Sequence, residues 1–406
     1  MTKTAVQTNR IRVITGNGAA AQAAVLCRPD VVAAYPITPQ TEVIEKLSEY
    51  HATGELDAEM ITVEGENSAM NSVTAACLAG GRVFTATSSW GLVFMYDAVL
   101  SAAGARAPVV MVNVNRETPG IIAVSSGQQD MISTRDCGWI FLIAEDSQEI
   151  LDMVIMAYRL AEDHDVQVPV MVHYDGFYLS YMAERVDVPD PETVDAYLAV
   201  LKKQPPRTVL RPGQPLGCGS HGILGGYVEL RHKHCMALER ARGIFDAISN
   251  DFNRQFGRDY TGQIEEYRLD DAEIALVASG SMCGTIKTVI DREREKGVKV
   301  GLLRIRMYRP FPGEAIVSAL QGKRCAGVVD RSICFGFKPG PICVEIKSFS
   351  KELGDVKLLS FIDGIANTDI TTANIEYMIR QVQAAANGEV VPEVTWVSFD
   401  DIHGGK

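Results

Sequence analysis

Short apolar runs rich in β-branched residues alternate with helical stretches through the first part of the chain. These runs are IRVIT, DVVAAY, MITV, RVFTATS, PVVMVNVN, GWIFLIA and VPVMVHY. A strand that is apolar at nearly every position is buried on both faces, which is typical of a parallel sheet covered by helices. The pattern therefore predicts an α/β domain over residues 1–185.

The remainder of the chain divides into three further segments. Residues 186–265 begin with a stretch rich in proline and glycine, which predicts a connector, and continue into one long helix. The apolar stripe of this helix repeats every three or four positions and consists of Leu238, Ala241, Phe245, Ile248, Phe252 and Phe256. A second alternation, with EIALVAS, KVGLLRIRMY, CAGVVD and VKLLSFID as strands, predicts a smaller α/β domain over 266–390. We expect a mobile tail over 391–406.

Composition and charge narrow the possible partners. Of the 406 residues 47% are hydrophobic, and 39 Lys and Arg face 51 Asp and Glu, for a net charge of −12. No basic run interleaved with aromatic residues occurs, so we expect neither nucleic acid nor a membrane as a partner. The amino-terminal stretch lacks the apolar core of a signal peptide, and no segment approaches the ~18 apolar residues of a membrane helix. We predict a cytoplasmic protein.

The cysteines and histidines argue against a metal site within the chain. Nine cysteines are scattered with no C-x-x-C pair, whereas iron–sulfur clusters need closely spaced thiolates. We therefore expect any such cluster on another chain. Two groups could still be interpreted as metal ligands, namely Cys334 with Cys343, and His221, His232, His234 and Cys235. Because His232 and His234 face different sides of a helix, a solvated helix start is the preferred interpretation.

The first glycine-rich turn fits a loose dinucleotide pattern. Gly16, Gly18 and Ala21 follow the first predicted strand as G-x-G-x-x-A. A nicotinamide site also needs an acidic residue at the end of the second strand, and that strand ends at Tyr35. Close packing of a helix against the strand is the alternative, and we favour it.

Four loops follow the second to fifth predicted strands. Ligands of open parallel sheets bind at the carboxyl ends of the strands, so we expect these loops to converge on one rim. They carry Thr38 within a proline-rich stretch, then Glu64 and Glu66, then Ser89 within TSSWG, then Arg116.

Glu64 and Glu66 lie between a short apolar run and a predicted helix. Residues two apart point in opposite directions, so only one carboxylate can face a given ligand. Asn67 or Ser68 is expected to cap the helix, and a carboxylate at a helix start is favoured by the helix dipole. From these residues alone, both glutamates could equally serve only to complement the dipole.

A set of motifs resembles those in the α chain of pyruvate:ferredoxin oxidoreductase-type enzymes. The motifs are YPITPQTE, VEGENSA, GRVFTATSSxGL, VNVNR, QxD at 128–130, RDCGW, YRPFP and VDRSICFG, in that order along the chain. The resemblance implies a thiamine-diphosphate-binding domain of the pyrimidine type, followed by a smaller transketolase C-terminal-like α/β domain. It also implies the oxidative decarboxylation of a 2-oxoacid to an acyl-CoA and CO2, with electrons passed to iron–sulfur clusters.

The resemblance further implies roles for individual residues. Glu66 corresponds to the carboxylate that activates the aminopyrimidine of thiamine, with Glu64 as the second choice. Arg116 and Thr38 would contact the substrate, although a surface salt bridge to Glu117 is an alternative for Arg116. Besides Glu66, the cofactor contacts would be Pro36, Thr38 and Ser89. No protein ligand for a metal is expected in this chain.

The motif that holds the diphosphate and its Mg2+ in such enzymes, Gly-Asp-Gly, is missing. The nearest fragment, Asp363-Gly364 with Asn367, has the wrong spacing. We therefore expect a partner β chain to carry the diphosphate and Mg2+ half of the site. Coenzyme A and the iron–sulfur clusters would be reached through partner chains, among them γ and ferredoxin-like chains. Alone, the chain should be inactive.

The loop 117–129 bears on the identity of the substrate. In pyruvate-specific chains of the resembled family this stretch carries a bulky aromatic residue followed by Gly-Asp, whereas Ser125, Ser126 and Gly127 stand here. Small residues predict a larger, less polar pocket, so we expect phenylglyoxylate to be favoured over pyruvate unless Trp90 or Phe94 refills the space. Pyruvate or another 2-oxoacid remains the alternative, as do a non-catalytic scaffold subunit and a transketolase-like transferase.

Overall fold

The computed structural model describes residues 10–118, 120–199, 208–214 and 226–399. The larger sheet has seven strands, and all neighbours are parallel except the first pair. In spatial order they are β12 (Met307–Arg309), β6 (Ile140–Ile143), β7 (Val170–Asp175), β5 (Val110–Asn115), β4 (Val83–Thr87), β2 (Val31–Ala33) and β3 (Glu59–Ile61). Six of the seven predicted strand runs are confirmed in this sheet.

Helices cover both faces of this sheet. They are α1 (Gly16–Cys27), α2 (Thr41–Ala52), α3 (Glu66–Leu78), α4 (Ser89–Phe94), α5 (Tyr96–Ala105), α6 (Gln129–Thr134) and α7 (Ser147–Ala161). Along β5, Val110 and Val112 pack into a core with α1 and α7, while Met111 packs into the opposite core with α3 and α5. Because both faces of the strand are buried, its sequence is apolar without alternation.

The first predicted strand lies outside the parallel sheet, so that part of the prediction was wrong. β1 (Arg10–Thr15) pairs antiparallel with β8 (Ala183–Val188) in a separate two-stranded sheet. Ile11 and Val13 of β1 are 58% and 72% exposed. Arg12, between them, is less exposed, so the alternation of charged and apolar residues in RIRVIT does not correspond to an apolar face turned inward.

The segment 186–265, predicted as a connector with one long helix, has regular structure besides that helix. It contains the end of β8, the short helix α8 (Pro191–Leu198) and the long helix α9 (Tyr227–Phe256). Ala241, Phe245, Ile248, Phe252 and Phe256 are buried along one side of α9, which confirms the predicted stripe.

The second sheet has six strands. In spatial order they are β15 (Val394–Trp396), β14 (Lys357–Ile362), β13 (Cys325–Asp330), β10 (Ile274–Ala278), β11 (Val300–Ile305) and β9 (Ile264–Tyr267). The strands are parallel except β9, which is antiparallel to β11. The accompanying helices are α10 (Met282–Glu295), α11 (Gly313–Leu320), α12 (Pro341–Lys347), α13 (Ser350–Leu353) and α14 (Thr372–Ala386). The strand β15 lies inside the range that was expected to be a mobile tail.

One run that was predicted as a single strand forms two strands, one in each sheet, and so connects the two sheets. The run KVGLLRIRMY forms β11 in the second sheet and, after Arg306, β12 in the first. The buried Arg304 and Arg306 both pair with Glu149 of α7, the latter at 3.2 Å. The two halves therefore share a strand and a buried ion network. The domain boundaries at 185, 265 and 390 remain predictions.

Candidate functional site

The loops after β2, β3, β4 and β5 converge at the carboxyl edge of the first sheet. Arg116 Nη1 donates to the backbone oxygen of Thr38 at 2.9 Å, which joins the loops after β5 and β2. The hydroxyl of Ser89 donates to the backbone oxygen of Glu117, which joins the loops after β4 and β5. Glu66 lies against Gly91 of α4. The structure thus brings together the residues that the sequence singled out.

Glu66 and Glu64 point in opposite directions, as predicted. Glu66 is the first residue of α3 and is 8% exposed, whereas Glu64 is exposed. The hydroxyl of Ser68 donates to Glu64 Oε1 at 2.5 Å, which lowers the pKa of Glu64. In the described part of the chain, the carboxylate of Glu66 has no hydrogen-bond partner. Glu66 is therefore the carboxylate that remains available to a ligand.

The expected helix cap was wrong. Gly65 occupies the N-cap position in an extended conformation and provides no side-chain cap. Asn67 lies inside the helix, where its side-chain amide donates to Asp97 Oδ1 at 2.5 Å. The N-cap residue thus provides no side chain to accept a hydrogen bond from the N–H groups of the first turn. Glu66 lies in that turn, where the helix dipole favours a negative charge.

Gly91 provides the space in which Glu66 lies. A Cβ atom at Gly91 would be 2.7 Å from Glu66 Oε1 and 2.5 Å from Thr87 Oγ1, so no other residue fits there without a shift. The hydroxyls of Thr87 and Ser88 are buried without a partner among the described residues. Buried polar groups are normally paired, so this corner suits a polar ligand. The residues present therefore fit the pyrimidine half of a thiamine site.

Ser89 is held in an uncommon backbone conformation. Its φ is 40°, in the left-handed region that disfavours a side chain, and the residue is fully buried. Its N–H donates to Asp130 Oδ2 at 3.0 Å, and its hydroxyl is engaged by Glu117. Both contacts hold the turn that begins α4 and leads to Gly91.

Arg116 is buried at the end of β5, with 8% exposure. Its Nε donates to the backbone oxygen of Ala123 at 2.7 Å, in addition to the contact with Thr38. Burial lowers the pKa of Arg116, and the nearby Asp130 opposes that effect. The guanidinium is thus held by two carbonyl oxygens, which contradicts the alternative of a surface salt bridge to Glu117. Its Nη2 donates to no described residue.

The small residues of the loop 117–129 predicted an enlarged pocket, and the side chain of Glu117 lies beside one of them, Gly127. A Cβ atom at Gly127 would be 1.8 Å from Glu117 Oε1, so the Glu117 side chain occupies the space beside this glycine. Ser126 is fully buried, and the hydroxyl of Ser125 donates to Asn367 in the second domain. The sequence does not reveal that a glutamate ten positions earlier folds back over Gly127.

Glu117 is a half-buried acid with one buried carboxylate oxygen, and its ionisation should affect stability. Burial, and then the charge of Asp130, raise the pKa of Glu117 from 4.5 to about 7. The folded protein therefore binds a proton that the unfolded chain releases above pH 4.5. The stability that this proton contributes is fully present below pH 4.5 and is lost as the pH rises through about 7. We compare the free energy of unfolding of Glu117→Gln with that of the wild type. We expect this difference to favour the variant by about 1–3 kcal/mol more at pH 8 than at pH 5.

Calorimetric midpoints of both proteins at pH 5 and pH 8 measure this difference. Glu64→Gln is the control, because the carboxylate of Glu64 is exposed and should show no such change between these pH values. An equal difference between Glu117→Gln and the wild type at both pH values would contradict the argument.

Apolar side chains surround the opening of the site. Tyr35, Trp90, Val93 and Phe94 are 38%, 42%, 41% and 64% exposed. Phe94 lies beside Gly65, since a Cβ atom there would be 3.3 Å from its ring. Pro36 and Thr38 are also exposed on this rim. The three atoms nearest to a Cβ at Gly127 all belong to Glu117 rather than to Trp90 or Phe94.

Other candidate sites are explained by packing. His234 is buried, with Nε2 2.8 Å from the backbone oxygen of Gly138, so the solvated helix start applies to His232 but not to His234. The described residues contain no group of three or more metal-ligating side chains, and His221 lies outside them.

Gly16, in the glycine-rich turn, begins α1, and its N–H donates to Leu179 O at 2.9 Å. A Cβ at Gly16 would be 2.5 Å from that oxygen, which confirms close packing as its reason.

Comparison with known families agrees with this geometry. Residues 22–250 match the model described as "Pyruvate flavodoxin/ferredoxin oxidoreductase, thiamine diP-bdg", which is more than half of the chain. The chain belongs to this family. Residues 272–375 match the "Pyruvate:ferredoxin oxidoreductase core domain II" of the same enzymes. The first domain is thus the thiamine-diphosphate-binding domain of the family.

Two relatives extend over nearly the full chain. Pyruvate synthase subunit PorA of Methanothermobacter thermautotrophicus is 43% identical over 96% of this chain and 99% of the relative. The α subunit of NADH-dependent phenylglyoxylate dehydrogenase of Aromatoleum evansii is 37% identical over 97% of this chain and 96% of the relative. Both are subunits of 2-oxoacid oxidoreductases. The chain is therefore the α subunit of an enzyme of this class, which acts as a complex.

Solved structures confirm the predicted fold class. The 2-oxoglutarate:ferredoxin oxidoreductase from Magnetococcus marinus superposes with a TM-score of 0.71 at 20% identity, over 93% of this chain and 65% of that chain. A split-gene transketolase superposes with a TM-score of 0.53 at 10% identity, over 91% of this chain and 98% of that chain. Within the described residues, no helix is long and apolar enough to cross a membrane.

Proposed function

We propose that this α subunit provides the pyrimidine half of a thiamine diphosphate site and binds the carboxylate of a 2-oxoacid. The observation that carries the proposal is the position of Glu66. Its carboxylate is buried at the start of α3 beside Gly91 and has no hydrogen-bond partner among the residues that the structure describes. A carboxylic acid held there can share a proton with a ring nitrogen of the aminopyrimidine.

Thiamine diphosphate, when bound, supplies the nucleophilic carbon on which a 2-oxoacid is decarboxylated and oxidised. Glu66 would hold and release a proton at the pyrimidine nitrogen. The exposed Pro36 and the turn at Ser89 would bound the ring on two sides. The buried hydroxyl of Thr87 lies beside Gly91 at the same corner and would add to its polar wall.

Arg116 and Thr38 would bind the substrate. Two carbonyl oxygens fix the orientation of the guanidinium, and its Nη2 edge remains free of described partners. A fixed planar guanidinium suits a carboxylate, which accepts two parallel hydrogen bonds. Thr38 is exposed beside it, so its hydroxyl can reach the keto acid.

The other half of the site would come from a partner. Asp363 accepts hydrogen bonds from the Gly364 N–H at 2.9 Å and Asn374 Nδ2 at 3.0 Å, and Asn367 accepts from Ser125. The fragment closest to a diphosphate motif is therefore engaged within the fold. A β chain would supply the diphosphate and Mg2+ ligands, and the apolar rim formed by Tyr35, Trp90, Val93 and Phe94 gives it a surface to cover. Coenzyme A and the iron–sulfur clusters would belong to partner chains, including γ and ferredoxin-like chains.

The substrate proposed here is a small 2-oxoacid of the pyruvate type, oxidised to an acyl-CoA and CO2. Glu117 fills the space beside Gly127, so this glycine by itself does not enlarge the pocket. The similarity to pyruvate synthase α subunits supports this choice. Phenylglyoxylate is the second candidate, supported by the 37% identity to the phenylglyoxylate dehydrogenase α subunit and by the small residues at 125–127.

The test is to co-express the chain with its partner chains and follow viologen reduction with CoA and each 2-oxoacid. We expect kcat/KM for pyruvate to exceed that for phenylglyoxylate by about tenfold or more, which is the range that pocket size alone can produce. The reverse preference would support the second candidate. Activity with neither acid, but with a sugar phosphate, would instead indicate a transketolase-like transferase.

A further inference from the structure

Asp130 is a buried carboxylate at the start of α6 that the sequence did not single out for chemistry. It is fully buried and accepts hydrogen bonds from four N–H groups. Its Oδ2 accepts from the backbone N–H of Ser89 at 3.0 Å, from Asn113 Nδ2 at 2.9 Å and from the backbone N–H of Arg116 at 3.2 Å. Its Oδ1 accepts from the N–H of Met131 at 2.8 Å.

Two of these donors belong to residues of the candidate site. Ser89 has a left-handed φ of 40° and begins the turn that places Gly91 under Glu66. Arg116 is the proposed substrate-binding arginine, and its backbone N–H points to the same oxygen of Asp130. One carboxylate oxygen therefore joins the carboxyl ends of β4 and β5. A strained backbone persists only where surrounding contacts determine it, and Asp130 provides such a contact.

We propose that Asp130 is a positioning residue, which holds Arg116 and the Ser89 turn in the arrangement that binds the 2-oxoacid. This inference rests on the proposed function. Asp130 does not touch the substrate; it acts through the two backbone groups that it accepts from. The distance between the loops after β4 and β5 is thereby fixed from beneath the site.

The role requires a carboxylate rather than an amide. In Asp130→Asn, an amide nitrogen in place of Oδ2 would face three N–H donors, and in the flipped orientation it would face the N–H of Met131. Either orientation leaves buried donors unpaired. Burial raises the pKa of Asp130 to about 7, while the donors of Asn113, Ser89, Met131 and Arg116 oppose that rise. N–H donors thus face both oxygens of the side chain at position 130, which a hydrogen-bond acceptor satisfies.

The second domain offers a matched control. Asp330 is also fully buried and lies close to a helix start, where it accepts from the N–H groups of Ile342 at 2.8 Å and Cys343 at 3.3 Å. Burial raises its pKa to about 7 as well. Asp330→Asn therefore makes the same chemical change at the same depth, outside the candidate site.

The experiment compares both variants in the assembled complex. We expect both to lower the thermal midpoint, but only Asp130→Asn to raise KM for the 2-oxoacid, by about tenfold or more. We also expect faster hydrogen–deuterium exchange at the amides of Ser89 and Arg116 in Asp130→Asn alone. A KM within twofold of that of Asp330→Asn, or unchanged exchange at these two amides, would overturn the proposal.

Two further outcomes keep the test decisive. If Asp130→Asn does not assemble, Asn113→Ala takes its place, since it removes one of the four donors; a KM increase of about threefold is then expected, and no increase would overturn the proposal. If the wild-type complex oxidises no 2-oxoacid, the proposed function fails. The exchange measurement, which needs no activity, then still decides whether Asp130 holds the two loops.

Discussion

Glu66→Gln is expected to lower kcat of the assembled complex by about 10³-fold or more at saturating thiamine diphosphate, CoA and 2-oxoacid. Glutamine has the same shape and fits the space at Gly91, but it cannot carry the proton that the pyrimidine nitrogen must share. Viologen reduction measures the effect directly. Because the side chain keeps its volume, the thermal midpoint should change little.

Glu64→Gln is the matched control for this variant. Glu64 lies two positions away, carries the same carboxylate and is exposed to solvent. We expect its kcat to remain within about twofold of the wild type, since an exposed carboxylate paired with Ser68 takes no part in the site. Equal loss in both variants, or full activity of Glu66→Gln, would contradict the role given to Glu66. Full activity would favour a non-catalytic scaffold subunit.

Arg116→Lys is expected to raise KM for the 2-oxoacid by about 10–100-fold while kcat stays within about threefold. Lysine keeps the positive charge but cannot hold the carbonyl oxygens of Thr38 and Ala123 and also present two parallel donors to a carboxylate. The loss should therefore appear in binding. Initial rates over a wide range of 2-oxoacid concentration separate the two constants.

Arg28→Lys controls for the loss of a guanidinium elsewhere. Arg28 also donates from Nε and Nη2 to a carboxylate, that of Asp195, both at 2.8 Å. It lies on the surface at the end of α1. Its KM should equal that of the wild type. An unchanged KM in Arg116→Lys, with a lower kcat instead, would indicate that Arg116 acts on the reacting atoms rather than on the carboxylate.

The sequence was sufficient to predict the strands and helices whose residue pattern is local. The strands of the first sheet are buried on both faces, so their continuous apolar runs were recognisable, and the stripe of α9 was visible in its spacing. The opposite directions of Glu64 and Glu66 followed from the period of an extended chain. β1 was misplaced because a strand signal does not specify the neighbouring strand.

The parts that the sequence did not reveal depend on contacts between distant segments. β12 joins the first sheet from the second half of the chain, and nothing in KVGLLRIRMY marks the residue at which the chain changes sheets. Glu117 covers Gly127 through a fold of the loop, which a count of small residues along the sequence does not reveal. Asp130 was visible only as part of a family motif, because its four donors come from three different elements.

The central claim is that Glu66 contacts the aminopyrimidine of a thiamine whose diphosphate is bound by another chain. A cryo-electron microscopy structure of the assembled complex with thiamine diphosphate tests it most directly. We expect a carboxylate oxygen of Glu66 within about 2.6–3.2 Å of a pyrimidine nitrogen, at the contact between two different subunits. A structure in which Glu66 faces solvent, or in which a single chain binds both halves of the cofactor, would contradict it.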